Sequence, residues 1–374
     1  MRDSTIDMNQ SKPTIALSVT MACALFLFAA TNTHGQVWRS ADPVPGWSLT
    51  QFTTDNGLAQ NSVAAMVQTR DGYIWLGTFG GLVRFDGIRF TTFNLATTPA
   101  LRSNRILSLF ESESGDLWIG TTHGGVTRFR DGEFTAYDET VGAPRGPVRT
   151  IAQDADGAIW FAGRDLVRLD NGAFENIGAK VGMPTTSAAW SVRFGADATR
   201  WVATSEGLGR IVDGSWIPVI HDIPNASPDS QFIGEFPDGG LWASGPNWLA
   251  CVDHGTSFER NCKESIGGVF AAIRDRGGNY WIGSKRGVFR YLGKKEDQGA
   301  PCTIALESFF SSDFLNRVGE GRSLLEDREG NFWVGTDGNG LFRLRQREFS
   351  LLPLPDGITG EQTRAMEDDE TGGV

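Results

Sequence analysis

A tryptophan that returns about every forty positions constrains this chain more than any other feature, because self-similarity at that period belongs to propellers, solenoids and arrays. Aligned on Trp75, Trp118, Trp160, Trp201, Trp242, Trp281 and Trp333, the sequence falls into seven copies of one unit, at spacings of 43, 42, 41, 41, 39 and 52 residues. Glycine stands three residues before each tryptophan (Gly72, Gly115, Gly157, Gly239, Gly278, Gly330), except in the fourth unit, which has Ala198. After the tryptophans come WLGT, WIGT, WFAG, WVAT, WASG, WIGS and WVGT. Eight to ten residues further on stands Arg84, Arg128, Arg168, Arg210, Arg290 or Arg343, with Cys251 in that place in the fifth unit.

Within a unit the apolar residues alternate as they do in strands. In the first, SVAAMVQ, YIWLGT, LVRF and RFTTF are separated by Arg-Asp-Gly, Phe-Gly-Gly and Asp-Gly. Asp-Gly between alternating apolar residues suits a tight hairpin, since glycine takes the positive φ such a turn demands. Four strands per unit in seven units predict an all-β fold, a seven-bladed β-propeller of four-stranded blades. A solenoid is the rival, but a four-stranded meander favours a blade. An insertion, GKKEDQGAPC, after the third strand of the sixth unit accounts for the long interval. A large aromatic at one fixed position in every unit is what packing blade against blade requires, so the tryptophans read as core. The arginines are expected to pair with acidic groups such as Asp71, Asp131 or Asp327 on neighbouring strands.

The ends add further expectations. Arg2 and Lys12 precede the apolar run IALSVTMACALFLFAA, and TNTHGQ follows it, which reads as an export signal over residues 1–35 cut ahead of Gln36. The run is short for a membrane span, though an uncleaved anchor is the alternative. Thr20 rather than an aliphatic residue stands three positions before Cys23, unlike a lipoprotein site. Cys251, Cys262 and Cys302 then remain, enough for one disulfide and one spare thiol, and their spacing matches no zinc pattern. The propeller is expected over 36–362, and 363–374 reads as the start of a truncated eighth repeat, Gly372 being the glycine due before another tryptophan. Ring closure has two candidates for one slot, WSLTQF at 47–52 and REFSLLP at 347–353.

The pattern V-x-x-I-x-x-D-x-x-G-x-x-W-x-G-T followed by G-L-x-R, as in VRTIAQDADGAIWFAG and SLLEDREGNFWVGTDGNGLFRL, resembles the two-component regulator propeller repeat. The leading WSLTQFTTDNGLAQNSV is similar to the opening of those domains, and the likeness covers about residues 47 to 374. Ala162, Ala203 and Cys251 depart from it. The resemblance implies an extracytoplasmic sensor propeller of a bacterial signalling protein, whose kinase or diguanylate cyclase part is not in this sequence. The expected location is therefore periplasmic or otherwise extracytoplasmic.

A formal net charge of -11 argues against nucleic acid and anionic lipid as partners. His34, His123, His221 and His254 are scattered, and no HExxH, GxSxG or phosphate-binding loop occurs, so neither a catalytic metal nor a cofactor is expected. The expected function is non-catalytic ligand sensing. The alternatives are a periplasmic protein-interaction scaffold and, less favoured, a propeller lyase or hydrolase. Functional variation should concentrate on the loops joining the second and third strands and on the loops between blades. The first kind offers Phe79, His123, Arg164, Asp165, Glu206, Trp248, Lys285, Arg286, Asp337 and Asn339 as candidate ligand-binding residues; the second adds Asn61, Arg102, Arg145 and Arg317. Aromatic rings, both charges and amides suit a polar ligand with apolar faces, for instance an oligosaccharide.

Overall fold

The structure is a computed structural model that describes residues 36–37, 46–195, 199–221, 232–235, 241–245, 248–253, 257–260, 268–297, 300–309 and 318–346. The expected signal peptide, the eighth repeat, the segment 347–353, Arg317 and Cys262 lie outside these residues.

The chain forms antiparallel four-stranded meanders arranged as blades of a β-propeller. In the first unit, Val63–Gln68, Ile74–Thr78, Gly81–Phe85 and Phe90–Phe93 pair in order. The innermost strands pack side by side: Val63–Gln68 against Ile106–Glu111, then Thr150–Gln153, Ala189–Phe194, Phe232–Glu235, Val269–Arg274 and Gly321–Glu326, which returns to Val63–Gln68. The expectation of seven four-stranded blades is corrected by the sheet at the seam. Among the described residues six blades are four-stranded, and the seam sheet has five strands drawn from both ends of the propeller. There Trp47–Phe52 pairs with Leu341–Gln346 from Trp47↔Gln346 to Phe52↔Leu341, and Gln36–Val37 adds to its far edge. WSLTQF therefore takes the closing slot. An N-terminal strand bonded to the last unit leaves no open ladder where the ring meets itself.

The turns follow from their glycines. Asp131–Gly132, Asn171–Gly172 and Asp213–Gly214 have positive φ at both central residues, the type I′ hairpin that matches strand twist. The insertion in the sixth unit lengthens a hairpin: Gly287–Asp297 and Ala300–Ser308 stay paired as far as Asp297↔Ala300.

The recurrent tryptophans whose side chains are described are core. Trp75, Trp118, Trp160, Trp201, Trp281 and Trp333 are all buried, and Trp75 packs on Leu101, Ile106 and Ile119 of the next unit. A carboxylate six residues upstream anchors several of them: Trp160, Trp281 and Trp333 donate their indole N–H to Asp154, Asp275 and Asp327 at 2.8, 2.7 and 2.7 Å. Each recurrent arginine lies directly opposite its tryptophan in register, as in Trp75↔Arg84, Trp201↔Arg210 and Trp333↔Arg343. The expected acidic pairing holds only for some of them. Arg168 reaches Asp154 and Asp170, and Arg290 reaches Glu307, whereas Arg84 lies over Tyr73 at 4.4 Å and Arg343 over Phe52 and Trp333 at 5.6 Å. A guanidinium flattened on a ring is held by cation–π attraction and needs no carboxylate.

Two further bonds recur at the blade junctions. Ser108 donates its hydroxyl to the Val148 carbonyl, and Ser323 donates to the Val63 carbonyl across the seam, both at 2.9 Å. The backbone N–H of Arg70 meets Glu111 at 3.0 Å, and that of Arg328 meets Gln68 across the seam at 2.7 Å. The seam is thus bonded like an ordinary junction. In four units the glycine two residues after the tryptophan allows this approach: a Cβ on Gly335 would lie 2.7 Å from the Val63 carbonyl oxygen, which is backbone and cannot rotate away. Gly335→Val is expected to cost about 1–3 kcal/mol by overpacking, read as a lower denaturation midpoint at unchanged slope; an unaltered midpoint would mean that the junction has slack.

Burial raises the Asp154 carboxyl pKa, but hydrogen bonds from the Trp160 indole and the Ala158 backbone, with Arg168 nearby, pull it below its ordinary value overall. Asp275 is lowered in the same way, against burial, by Trp281 and Asn279. A depressed folded pKa contributes stability that is present above the unfolded value of about 4 and lost as pH falls through the folded one. Melting temperatures are expected to drop more steeply below about pH 4 in the native protein than in Asp154→Asn. Parallel curves would show that this carboxylate is not a source of acid sensitivity.

Candidate functional site

Eleven residues before each tryptophan, the sequence places Ala64, Leu107, Arg149, Trp190, Gln231, Phe270 and Arg322. This position changes character from unit to unit. The structure explains the freedom. In five units the innermost strand slips register against its neighbour at this residue, so Ala64, Leu107, Trp190, Phe270 and Arg322 are each the extra residue of a β-bulge. A bulge re-aims its side chain out of the regular alternation. Here the bulged residues, with Arg149 of the third unit, face a cavity of about 680 Å³ enclosed by the innermost strands. Gln231 lies outside the described residues.

Such a volume falls in the range that holds small ligands. Its wall combines guanidinium groups with flat apolar surface: Arg105, Arg149, Arg193 and Arg322 stand among Trp190, Phe270, Phe79 and Phe110. At the mouth Arg105 lies over the Phe79 ring at 4.4 Å. Arg322 lies over the Phe270 ring at 4.1 Å and bonds Asp337 at 2.9 Å, and Ser62 donates to the other Asp337 oxygen at 2.8 Å. Arg193, on the strand Ala189–Phe194, is half-buried, and burial pulls its guanidinium pKa down.

Of the residues expected from the loops, Phe79 and Asp337 line this cavity. The others are placed elsewhere around the loops. His123 is exposed, its Nδ1 at 2.8 Å from the Thr122 hydroxyl and 3.2 Å from that of Ser103. Asp165 accepts two 2.9 Å bonds from Arg145; burial pushes its pKa up, but the guanidinium brings it below the ordinary value. Glu206 accepts from the Thr186 hydroxyl at 2.7 Å. Arg164, Lys285 and Arg286 are exposed. Asn339 donates its side-chain amide to the Val318 carbonyl at 3.2 Å. Trp248 begins the strand Trp248–Asp253, and its side chain lies outside the described residues. Among the inter-blade residues, Arg102 pairs with Asp138 at 3.1 Å and the Asn61 side chain accepts from the Thr54 backbone at 2.9 Å. Among the described residues no group of three or more His, Cys, Asp and Glu side chains is placed to hold a metal ion, and no helix is long and apolar enough to cross a membrane.

Comparison with known proteins identifies the repeat. A family model, the two component regulator propeller, matches residues 57–80, 100–123 and 317–338. A search of curated proteins gives no match. Among solved structures, the extracellular domain of a hybrid two component system from B. thetaiotaomicron is 19% identical, with a TM-score of 0.64 over 80% of this chain and 42% of that one. The extracellular domain of a one component system from the same organism is 20% identical, with a TM-score of 0.59 over 78% of this chain and 39% of that one. The chain thus spans less than half the length of either extracellular domain. Virginiamycin B lyase from Staphylococcus aureus is 14% identical, with a TM-score of 0.59 over 80% of this chain and 99% of that one. At such identities these likenesses show a shared propeller fold, which hosts enzymes and non-enzymes alike.

Proposed function

From the premise that this chain carries two component regulator propeller repeats, we propose that it is the ligand-sensing propeller of an extracytoplasmic signalling protein, with no catalytic step of its own. The observation that carries this reading is the ring of bulges. Five separate units break their ladder at the same place, and each break turns a different side chain toward one cavity. Bulges that served only strand twist would not need such different residues. A wall of mixed rings and guanidinium groups, on a scaffold whose described blades are hydrogen-bonded to one another from the first to the fourth unit and from the sixth across the seam, is suited to selecting a ligand. The likeness to extracellular domains of bacterial two component and one component systems supports placing the chain outside the cytoplasm.

The test is a thermal-shift screen of small polar ligands on the native chain and on Ala64→Trp. The fourth unit already carries Trp190 at the equivalent bulge, so the backbone there accommodates an indole, and the substitution fills the cavity without touching the blade core. Ligands that raise the melting temperature of the native chain are expected to lose that effect in Ala64→Trp, while the ligand-free protein still folds. Hits that act equally on both proteins would place binding elsewhere.

A further inference from the structure

The sixth unit carries something a blade does not need. Its interval to the next tryptophan is 52 residues where the others are 39 to 43, and the extra residues lengthen its outer hairpin to Gly287–Asp297 and Ala300–Ser308. The neighbouring strand, Tyr280–Ser284, covers that hairpin only as far as Tyr291. Beyond it Gly293, Lys294 and Lys295 pair with Ala305, Ile304 and Thr303, and Asp297 with Ala300, as a two-stranded arm. Two strands alone are marginal in water, and a third is what makes a sheet stable. The arm also ends its sheet: among the described residues no strand pairs with the far side of Ala300 to Leu306. That edge reads APCTIAL, without a charge, in a chain of formal net charge -11. Proteins commonly blunt such edges with short strands, proline or bulges. Elsewhere this one does so. The outermost strands Phe90–Phe93, Glu133–Tyr137, Ala173–Asn176 and Ser257–Arg260 run four or five residues, and Ser215–His221 carries Pro218 with a slip of register beside it. The nine-residue strand Ala300–Ser308 has a single proline, Pro301, next to its tip.

We infer that this edge is an interface between two copies of the chain, Ala300–Ser308 of one pairing antiparallel with the same strand of the other about a two-fold axis at Ile304, its middle residue. A two-fold axis sets an antiparallel strand opposite itself, so the register of longest overlap places Thr303 of one copy against Ala305 of the other, and Cys302 against Leu306. Charge favours a second copy here. Two chains of net charge -11 repel over most approaches, whereas pairing from Ala300 to Leu306 brings no like charges opposite one another. Joined edge to edge, the two arms make four strands, which supplies the support that either arm lacks alone. One strand pair is a small interface, so association depends on concentration. The inference stands apart from the sensory reading of the cavity, which a monomer serves equally well.

Sedimentation velocity of the native chain from about 1 to about 100 μM, with a thiol reductant present, tests it. A shift from monomer to dimer is expected over that range. Ile304→Glu keeps the arm, because position 304 lies opposite Lys294 of its own hairpin. It sets two carboxylates against each other on the axis, and is expected to weaken association at least about tenfold. Ile217→Glu, at an exposed position of the blunted strand Ser215–His221, controls for added charge and is expected to associate like the native chain. Hydrogen exchange gives a reading without any substitution: amides from Cys302 to Leu306 are expected to exchange more slowly at the high concentration than at the low one, with the other outermost strands unchanged. The inference is overturned if the native chain stays monomeric throughout, if Ile304→Glu associates as tightly as the native chain, if Ile217→Glu loses association as fully, or if the amides from Cys302 to Leu306 exchange alike at both concentrations.

Discussion

A chain that begins at Thr53 is expected to lose its single cooperative unfolding transition and to associate. The deletion removes Trp47–Phe52, the strand that pairs along Leu341–Gln346 from end to end, together with the two-residue strand beyond it. Leu49 and Phe52 leave the core with it; both are buried, and Phe52 packs on Phe85, Phe90 and Trp333 with centroids at 5.7, 5.6 and 6.0 Å. Loss of a buried phenylalanine alone costs about 3–5 kcal/mol, a large part of the roughly 5–15 kcal/mol by which a domain is stable. The deletion also bares the outer ladder of Leu341–Gln346, an invitation to edge-to-edge pairing. Calorimetry and light scattering read the outcome together. A monomeric protein with a native melting temperature would show that the seam does not depend on this strand.

Trp333→Ala is expected to lower stability by about 3–5 kcal/mol, the largest effect of any single substitution considered. The indole is buried at the seam, among Leu58, Val63, Leu76 and Phe85, and its N–H bonds Asp327. Arg343 stacks on the same ring. Removing it opens a cavity where the first and last units meet and leaves the buried Asp327 carboxylate without its indole donor, though Asn331 still donates two bonds. Trp333→Phe keeps the stacking and is expected to recover most of the loss in a urea titration. Equal losses for the two variants would mean that the Asp327 bond, rather than ring burial, holds the seam.

The repeat made the fold legible because spacing, glycine placement and strand alternation all serve the same packing. Trp75 and its equivalents must be large, Gly335 must be small, and Gly132 must take a positive φ, so each leaves a mark in the sequence. The seam was harder to read. WSLTQF and REFSLLP have the same outer-strand pattern, and nothing in either shows that the first also carries a further strand, which makes the closing sheet five-stranded. The arginines misled in part: Arg84 and Arg343 satisfy themselves on aromatic rings that lie opposite or beside them in register, a contact that spacing along the chain does not reveal.

The site was legible only at its rim. Loop reasoning reached Phe79 and Asp337, since loops joining the second and third strands open on the cavity mouth. It passes over Arg149, Trp190, Phe270 and Arg322, which stand on strands and not on the loops. A strict two-residue alternation assigns each strand residue to one face or the other, and a bulge breaks that rule by one residue. The signal was nonetheless present. The position eleven residues before each tryptophan carries Ala, Leu, Arg, Trp, Gln, Phe and Arg in turn, beside a neighbour that is Val63, Ile106, Val148 or Val269 in four units. A repeat position that drifts between arginine and tryptophan while its neighbour is a branched aliphatic in four of seven units is not serving the packing common to every unit.

The most direct test of the central claim is a crystal structure of the native chain soaked with the compound that gives the largest thermal shift. The account predicts ligand density inside the cavity, in contact with Trp190 and Phe270. Density on the outer face of a blade, with the cavity holding only solvent, would contradict it.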